Sequence, residues 1–211
     1  MVLKNNIYRV IKRLVDIVIA IIGCIVLVPL TAIIYILYII SGDIGSIFFV
    51  QKRIGKDGKL FKMYKYRSMV VNADWKLKKY LLENPEVCKE FKKYKKLKND
   101  PRITWGGRII RKYSLDEFPQ FINILKGEMS VVGPRPYLPR EKRTMGDKYK
   151  EVIKVKPGLT GPWQVNGRSR VDFEERLKID EEYVKKFPSL KLDIKIFLKT
   201  FSKLAQREGA T

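Results

Sequence analysis

A single long apolar run near the N-terminus dominates the pattern of hydrophobic and polar positions along the chain. The 24 residues from Ile17 to Ile40 carry no formal charge. As a helix rising about 1.5 Å per residue, the run would be about 36 Å long, enough to cross a hydrocarbon core of about 30 Å. It is too long for the apolar region of a cleaved signal peptide. The run therefore predicts a membrane helix.

Two features of this run favour a helix that enters the membrane and returns over a helix that crosses it. Pro29 lies at the middle of the run, and a proline there lacks a backbone N–H and favours a bend. Both flanks are basic, so a spanning helix would leave one cluster outside, against the positive-inside bias. A break near Val28-Pro29 would keep both clusters at the cytoplasmic headgroups, with the Thr31 hydroxyl available to the backbone at the break. A simple spanning helix stays open as the alternative. The clusters are Lys4, Arg9, Lys12 and Arg13 before the run and Lys52, Arg53, Lys56 and Lys59 after it.

Shorter patterns after the run predict a small hairpin followed by helices. Apolar stretches at 48–50 and 60–64 flank Asp57-Gly58, a hairpin signal with Asp-Gly as the turn. A Lys-rich helix is predicted over 74–99 with a break at Asn84-Pro85. It is either a solvated basic helix or a helix on the membrane surface with its aromatic residues inward. Three more helices are predicted: a polar one ending near residue 149, and two over 172–186 and 191–204.

The charge of the chain points to an anionic partner. There are 44 Lys and Arg residues against 22 Asp and Glu, a net charge of +22. Such an excess suits nucleic acid, an anionic membrane surface or a phosphorylated substrate. The chain has no histidine, so any catalysis must use carboxylates, Lys, Tyr or Cys. The two cysteines, Cys24 and Cys88, form no disulfide framework and fit a reducing cytoplasm.

Asp116 and Glu117 are adjacent carboxylates just before Pro119 and an apolar helix. Ser114 as N-cap would form a capping box with Glu117, but Pro119 would then cost a backbone hydrogen bond inside the helix. Asp116 as N-cap places Pro119 at the third helical position, where its N–H has no intrahelical partner. We favour Asp116, which puts a carboxylate beside free N–H groups that could also hold phosphate. The alternative is that both acids only stabilise the helix.

Five short motifs occur in a fixed order along the chain, and together they are highly specific. They are Gln51-Lys52-Arg53-Ile54-Gly55, Lys65-Tyr66-Arg67-Ser68-Met69, Ser114-Leu115-Asp116-Glu117-Phe118-Pro119-Gln120, Val132-Gly133-Pro134-Arg135-Pro136 and Gln164-Val165-Asn166-Gly167-Arg168. With them the chain resembles, over nearly its whole length, the bacterial sugar transferase family. These are small monotopic phosphoglycosyl transferases that load a phospho-sugar onto polyprenol phosphate.

The resemblance implies covalent catalysis at Asp116. The matching residue of the family attacks the β-phosphate of a UDP-sugar, releases UMP and carries the phospho-sugar as an acyl phosphate until polyprenol phosphate takes it. Glu117 matches the second member of the catalytic dyad, and both acids are implied as ligands of Mg²⁺. The positions implied to bind substrate phosphate are Arg111, Arg135, Arg168, Lys65 and Arg67.

The resemblance and the residues together predict an α+β, mostly helical monotopic membrane protein. Residues 1–45 would form a re-entrant anchor broken at Pro29, and residues 46–211 a cytoplasmic catalytic domain at the bacterial inner membrane. Asp180 and Asp193 match acidic positions that either contact substrate or support the structure. The chain departs from the family at Val28, where some members carry Ser, and at Glu128, where many carry Asp.

The expected partners are a UDP-sugar donor, polyprenol phosphate and an anionic phospholipid membrane, without nucleic acid; a homo-oligomer stays open. The competing hypothesis is a membrane-tethered nucleic-acid-binding protein, which suits the charge of +22 and the interleaved aromatic residues. It gives the Asp116-Glu117 pair no role. A non-enzymatic membrane-surface scaffold is a third hypothesis.

Overall fold

The computed structural model of the chain describes residues 2–42, 45–94, 97, 99–166, 172–186 and 189–205. Their helices are α1 (Val2–Ile40), α2 (Ala73–Glu83), α3 (Pro85–Tyr94), α4 (Trp105–Lys112), α5 (Gln120–Leu125), α6 (Lys142–Met145), α7 (Lys148–Val152), α8 (Pro162–Asn166), α9 (Phe173–Lys185) and α10 (Leu190–Ala205). Their strands are β1 (Phe48–Ile54), β2 (Leu60–Tyr66), β3 (Ser130–Val132) and β4 (Gly158–Thr160). The predicted α+β, mostly helical architecture is confirmed.

The predicted hairpin is confirmed, but its turn is longer than predicted. β1 and β2 pair antiparallel, with Phe48 opposite Tyr66 at one end and Ile54 opposite Leu60 at the other. Residues 55–59 connect them, and Asp57 and Gly58 both have positive φ, at 55° and 78°. Asp and Gly adopt this conformation at lower cost than other residues. The two turn residues are therefore the expected ones, inside a five-residue loop.

A second, parallel sheet of two short strands was not predicted from the sequence. Ser130 of β3 lies opposite Gly158 of β4, and Val132 lies opposite Thr160. A side chain on Gly158 would collide with the backbone of Gly133, so the glycines allow this close approach. The close packing of Gly133 against Gly158 therefore fixes the start of the loop 133–136, which follows β3.

The helix boundaries follow local signals in most places. The predicted break at Asn84-Pro85 separates α2 from α3. The Asp172 side chain caps α9 by accepting a hydrogen bond from the Glu175 N–H at 2.8 Å. The predicted polar helix ending near residue 149 is wrong, because the segment forms two short helices, α6 and α7. Gly146 follows the end of α6 with a positive φ of 54°, which a right-handed helix does not allow.

The predicted break at Pro29 is not present, because α1 remains helical from Val2 to Ile40 with Pro29 inside it. The hydroxyl of Thr31 donates to the carbonyl of Leu27 at 2.7 Å, on the turn that contains the proline. Thr31 also lies 2.5 Å from the hydroxyl of Tyr66 in β2. Side-chain hydrogen bonds of this kind support backbone next to a proline inside a helix.

α1 packs along the rest of the chain over nearly its whole length. Ala20 belongs to a core with residues of β2, α5 and β3, and Leu27 and Ile34 belong to a second core with Tyr66 and Ile110. The segments 1–45 and 46–211 therefore share two hydrophobic cores. The opposite face of α1 is apolar and exposed, as at Val18 and Ile25. From Asn6 to Ile40 the helix is long and apolar enough to cross a bilayer, by length and composition.

Candidate active site

Asp116 lies in a short turn between α4 and α5, and both predicted helix caps are wrong. Leu115–Glu117 forms one turn of 3₁₀ helix, and α5 begins only at Gln120, with Pro119 in the N-cap position. Ser114 precedes the turn with a left-handed φ of 54° and its side chain makes no cap hydrogen bond. Pro119 costs nothing where it lies, because its fixed φ fits the helix and no N–H is required. Asp116 is thus held by a turn and not by a helix end.

The two carboxylates share one lysine. Lys65 Nζ of β2 lies 3.1 Å from Glu117 Oε1 and 3.8 Å from Asp116 Oδ2. The side chain of Asp116 is 17% exposed and that of Glu117 is 34% exposed. Asp116 is therefore mostly sheltered from water, yet a ligand can reach it. All three were predicted as site residues from the sequence, and the fold brings them together.

Arg111 approaches the same acids from α4. Its Nε donates to Ser68 Oγ at 2.8 Å, and a side chain on Gly107 would collide with the Ser68 backbone, so the glycine lets α4 pack against this loop. Burial lowers the pKa of Arg111, and the charge of Asp116 opposes that shift. Ser68 belongs to a motif found in the sequence, but its role in orienting Arg111 was not predicted.

The charge state of Asp116 is set by competing neighbours. Burial raises its pKa to about 6; Lys65 acts against the shift, Glu117 adds to it, and Arg111 again opposes it. A carboxyl group with a pKa near 6 is about nine-tenths ionised at pH 7. Asp116 therefore combines a sheltered position with a negative charge at neutral pH, as a carboxylate nucleophile requires.

A second cationic group surrounds the loop after β3. The guanidinium of Arg135 lies 5.9 Å from the centre of the Trp163 ring, and that of Arg176 lies 4.4 Å from the same ring. Burial lowers the pKa of Arg53 to about 10, with the charge of Arg135 acting in the same direction. Glu117 is among the charges that act on Arg53, so this group adjoins the carboxylate pair. Arg53 and Arg176 were not predicted as site residues.

Asp180 of α9 binds the loop after β3 from the interior of the protein. Its Oδ2 accepts hydrogen bonds from the Arg135 N–H at 3.0 Å and from the Tyr137 hydroxyl at 2.9 Å. The side chain is fully buried. Burial raises the pKa of Asp180 to about 7, against the hydrogen bonds from Arg135 and Tyr137 and the charges of Arg135 and Arg176. Asp180 therefore acts on the site by fixing the backbone that carries Arg135.

Asp193 and Arg67 hold α1 at its two ends. Asp193 accepts hydrogen bonds from Tyr8 at 2.8 Å and Lys12 at 2.6 Å, both in the first turns of α1. Arg67 Nε donates to the Ser46 carbonyl at 2.6 Å, and the Tyr38 hydroxyl donates to the Arg67 carbonyl. These contacts are structural, and phosphate binding by Arg67 stays a prediction.

Two further residues predicted from the sequence have different outcomes. Arg168, predicted to bind substrate phosphate, lies outside the described residues. Glu128 accepts a hydrogen bond from Asn123 Nδ2 at 2.7 Å. Asn123 in turn donates to the Lys62 carbonyl and accepts from the Tyr64 N–H. Glu128 therefore braces strand β2, which carries Lys65.

The carboxylate pair fits a magnesium ion that is also held by a substrate. In the described part of the chain, no three His, Cys, Asp or Glu side chains gather as a metal site. Mg²⁺ commonly takes only one or two carboxylates together with phosphate oxygens and water. Asp116 and Glu117 supply two carboxylates at a partly open position. These residues suit a magnesium ion that arrives with a diphosphate.

The chain belongs to the bacterial sugar transferase family, whose model matches residues 7–207. It is 46% identical over 202 residues to the undecaprenyl-phosphate galactose phosphotransferase of Salmonella typhimurium, covering 96% of this chain and 42% of that protein. It is 40% identical to the exopolysaccharide production protein ExoY of Sinorhizobium fredii, covering 94% and 87%. It is 38% identical to the UDP-glucose:undecaprenyl-phosphate glucose-1-phosphate transferase of Escherichia coli, covering 93% and 41%.

The chain thus spans less than half the length of two of these relatives and most of the third. The resemblance predicted from the five motifs is confirmed.

Proposed function

We propose that the chain is a phosphoglycosyl transferase that moves a sugar-1-phosphate from a UDP-sugar to polyprenol phosphate and so begins the synthesis of a polysaccharide. The observation that carries the proposal is the meeting of Asp116 and Glu117 with Lys65 and Arg111 at a sheltered position. Two of the relatives carry UDP-glucose or undecaprenyl phosphate in their names, which supports the two substrates.

The first step is nucleophilic. An oxygen of the Asp116 carboxylate attacks the β-phosphorus of the UDP-sugar, and the bond from that phosphorus to the bridging oxygen breaks. UMP leaves with the bridging oxygen, and the phospho-sugar stays on Asp116 as an acyl phosphate. A carboxylate suits this step because it is already charged at neutral pH and needs no histidine to activate it.

The second step uses the lipid. A phosphate oxygen of polyprenol phosphate attacks the phosphorus of the acyl phosphate, and the bond to Asp116 breaks. The products are a polyprenyl diphosphate sugar and the free carboxylate. The acceptor is itself anionic, so this step needs no strong base.

The surrounding cations balance the charge of the substrates. Lys65 and Arg111 lie at the carboxylate pair, and Arg135 with Arg53 forms the adjoining basic group. Positive groups fixed in a sheltered site stabilise a transferring phosphoryl group more strongly than the same groups in water. Asp116 and Glu117 would hold Mg²⁺, which supplies further neutralisation of the diphosphate when bound.

The packing of α1 supports a monotopic arrangement on the cytoplasmic face of the bacterial inner membrane. Polar contacts at Lys12 and Arg67 tie both ends of the helix to the charged remainder of the chain. Charged groups are costly in hydrocarbon, so both ends fit the headgroup level while the apolar face between them contacts lipid. A helix that crossed the bilayer would place one of its ends on the far side, where its polar contacts with the rest of the chain would be lost.

The proposed function is tested by incubating the purified full chain in detergent with a panel of UDP-sugars and Mg²⁺. We expect UMP release with at least one donor, and no release when the divalent cation is removed by a chelator. If no UDP-sugar yields UMP, or if the UMP signal is the same without any UDP-sugar, the nucleic-acid-binding or scaffold hypotheses would be favoured.

The rate of UMP release should depend on the charge of Asp116. Since its pKa is raised to about 6, the nucleophile is lost as the pH falls through that value. We expect kcat/KM to be nearly constant from pH 7 to 8 and to fall about tenfold between pH 7 and 5. A profile that stays flat down to pH 5 would contradict ionisation of Asp116 near 6.

Impermeant maleimide labelling tests the monotopic arrangement. In a chain with Cys24→Ser and Cys88→Ser, cysteines introduced as Asn6→Cys and Lys59→Cys should both stay unlabelled in intact cells. Both should react after the membrane is permeabilised. Labelling of Asn6→Cys in intact cells would show that α1 crosses the bilayer.

Adding Pro29→Ala to this background tests the role of the proline. It restores the missing N–H, but α1 is already helical through Pro29 and its two ends are tied by polar contacts. Asn6→Cys should therefore stay unlabelled in intact cells, and labelling from outside would show that the proline sets the topology.

A further inference from the structure

A basic cavity lies beside the first turns of α1, away from the carboxylate pair. Its volume is about 440 Å³, and seven basic side chains line it against two carboxylates. Cavities of this size commonly hold a small ligand or a headgroup. Val132, Val155 and Val184 add apolar surface to its wall.

The cavity is separated from Asp116 by the helix α5. Arg13 lines the cavity and donates to the carbonyls of Ile124 and Leu125 at 2.6 and 2.8 Å, at the end of α5. Asp116 precedes the start of that helix, which is six residues and so about 9 Å long. A ligand in the cavity would therefore not compete directly for the nucleophile.

Part of the positive charge in the cavity has no counter-charge. Lys12 pairs with Asp193 and Lys154 with Glu151, each at 2.6 Å, and Lys185 pairs with Glu181 at 2.7 Å. Lys56 lies 3.9 Å from Asp57, and both of these side chains are exposed, so this pair is weak. By contrast, Arg9, Arg13 and Lys156 have no carboxylate within 4 Å among the described residues. Burial lowers the pKa of Lys156, and the charge of Arg13 adds to the shift. Like charges held together at a partly buried position favour an anionic ligand.

The position of the cavity indicates where that anion comes from. Val10 and Leu14 lie on the same turns of α1 as the cavity-lining residues, and their side chains are 60% and 58% exposed. An anionic head in the cavity could therefore be continuous with acyl chains along the apolar face of α1. Basic groups beside a membrane helix attract anionic lipids in this way.

We propose that this cavity binds the phosphate headgroup of an anionic phospholipid, with Lys56, Lys156 and Arg13 as its cationic contacts. The lipid would hold the first turns of α1 at the membrane surface. The proposal rests on membrane association of α1 and not on the chemistry at Asp116.

Native mass spectrometry of the full chain, released from detergent micelles, tests the proposal. The probes are phosphatidylglycerol and a phosphatidylcholine with the same acyl chains. We expect the wild-type chain to retain one phosphatidylglycerol in preference to phosphatidylcholine. Lys56→Gln with Lys156→Gln should weaken retention of phosphatidylglycerol about tenfold or more, since each lysine near an anionic surface contributes attraction.

Two matched variants control for charge and folding. Lys150→Gln with Lys178→Gln removes two exposed lysines from α7 and α9 and should leave retention within about twofold of wild type. Lys56→Arg with Lys156→Arg keeps the charge and should also retain the lipid. Asp116→Asn should bind the lipid as wild type does, so failure at this cavity is separable from failure of the transferase proposal.

Several outcomes would overturn the headgroup site. Equal retention of phosphatidylcholine, or undiminished retention of phosphatidylglycerol by the Lys56→Gln and Lys156→Gln chain, excludes it. Displacement of the lipid by inorganic phosphate at equal concentration would assign the cavity to a free phosphate ion. Displacement by a UDP-sugar would assign it to the nucleotide.

Discussion

Asp116→Asn should reduce UMP release by a factor of about 10⁴ or more while the chain still folds and associates with membranes. The amide keeps the size of the side chain but cannot form an acyl phosphate, so the covalent step is lost and not merely slowed. Losses of this order are typical when a nucleophile is removed from an otherwise intact site. Intact-mass measurement after incubation with donor alone should find the phospho-sugar on wild-type protein and not on the variant.

A matched aspartate controls for the substitution itself. Asp57 is an exposed loop residue with a positive φ that asparagine also adopts readily, so Asp57→Asn should leave UMP release unchanged. Substantial turnover by Asp116→Asn, or an adduct mapped to a peptide without residue 116, would reject covalent catalysis at this carboxylate.

Local sequence signals predicted the elements that local chemistry determines. The helix predicted over 172–186 is present as α9, with the Asp172 side chain as its cap, and Asn84-Pro85 separates two helices because proline disfavours helical backbone before it. The hairpin follows from two apolar strands around an Asp-Gly pair. Gly127, with a φ of 78°, follows the end of α5 as a C-terminal glycine should.

The parts of the site that depend on distant contacts could not be predicted. Arg53 of β1 and Arg176 of α9 meet Arg135 only because the two sheets and α9 pack together, and no spacing along the chain encodes this. The sequence around Asp116 suits a helix cap as well as the 3₁₀ turn that forms there, so the prediction of a cap was wrong. Ser114 adopts a left-handed conformation there, which no local pattern indicated.

α1 also depends on contacts that are distant along the chain, although the helix itself was predicted. Its composition predicted a membrane helix, but not the polar residues that dock it. Asp16 lies near the charge-free run and accepts hydrogen bonds from Ser130 Oγ and the Val131 N–H, at 3.0 and 2.9 Å. A buried carboxylate needs such partners, and they lie more than 100 residues away. Hydropathy alone therefore gives the helix but not the surface against which it packs.

Asp180→Ala should lower the thermal stability of the chain strongly and also reduce catalysis. The Arg135 N–H and the Tyr137 hydroxyl would both lose their acceptor inside the protein, at a cost of about 2–4 kcal/mol. For a chain of this length that corresponds to a fall in Tm of about 4–16 °C. Thermal unfolding in detergent measures it, with Asp74→Ala at an exposed position of α2 as the control.

Asp180→Asn should behave differently, and its effect should depend on pH. The folded-state pKa of Asp180 is raised to about 7, so the folded chain binds this proton more tightly than the unfolded chain. The corresponding stability is present below about pH 4 and is lost as the pH rises through 7. The amide cannot ionise, so the Tm of Asp180→Asn relative to wild type should rise between pH 5 and 8.

The unpartnered oxygen of Asp180 explains why a proton is accommodated there. Oδ1 is buried and has no hydrogen-bond partner among the described residues, whereas Oδ2 accepts from Arg135 and Tyr137. A proton on Oδ1 would leave both of those hydrogen bonds intact. If the Tm difference between Asp180→Asn and wild type does not change from pH 5 to 8, Asp180 is ionised throughout. The basic group around Arg135 would then contain a buried negative charge that offsets part of its attraction for the diphosphate.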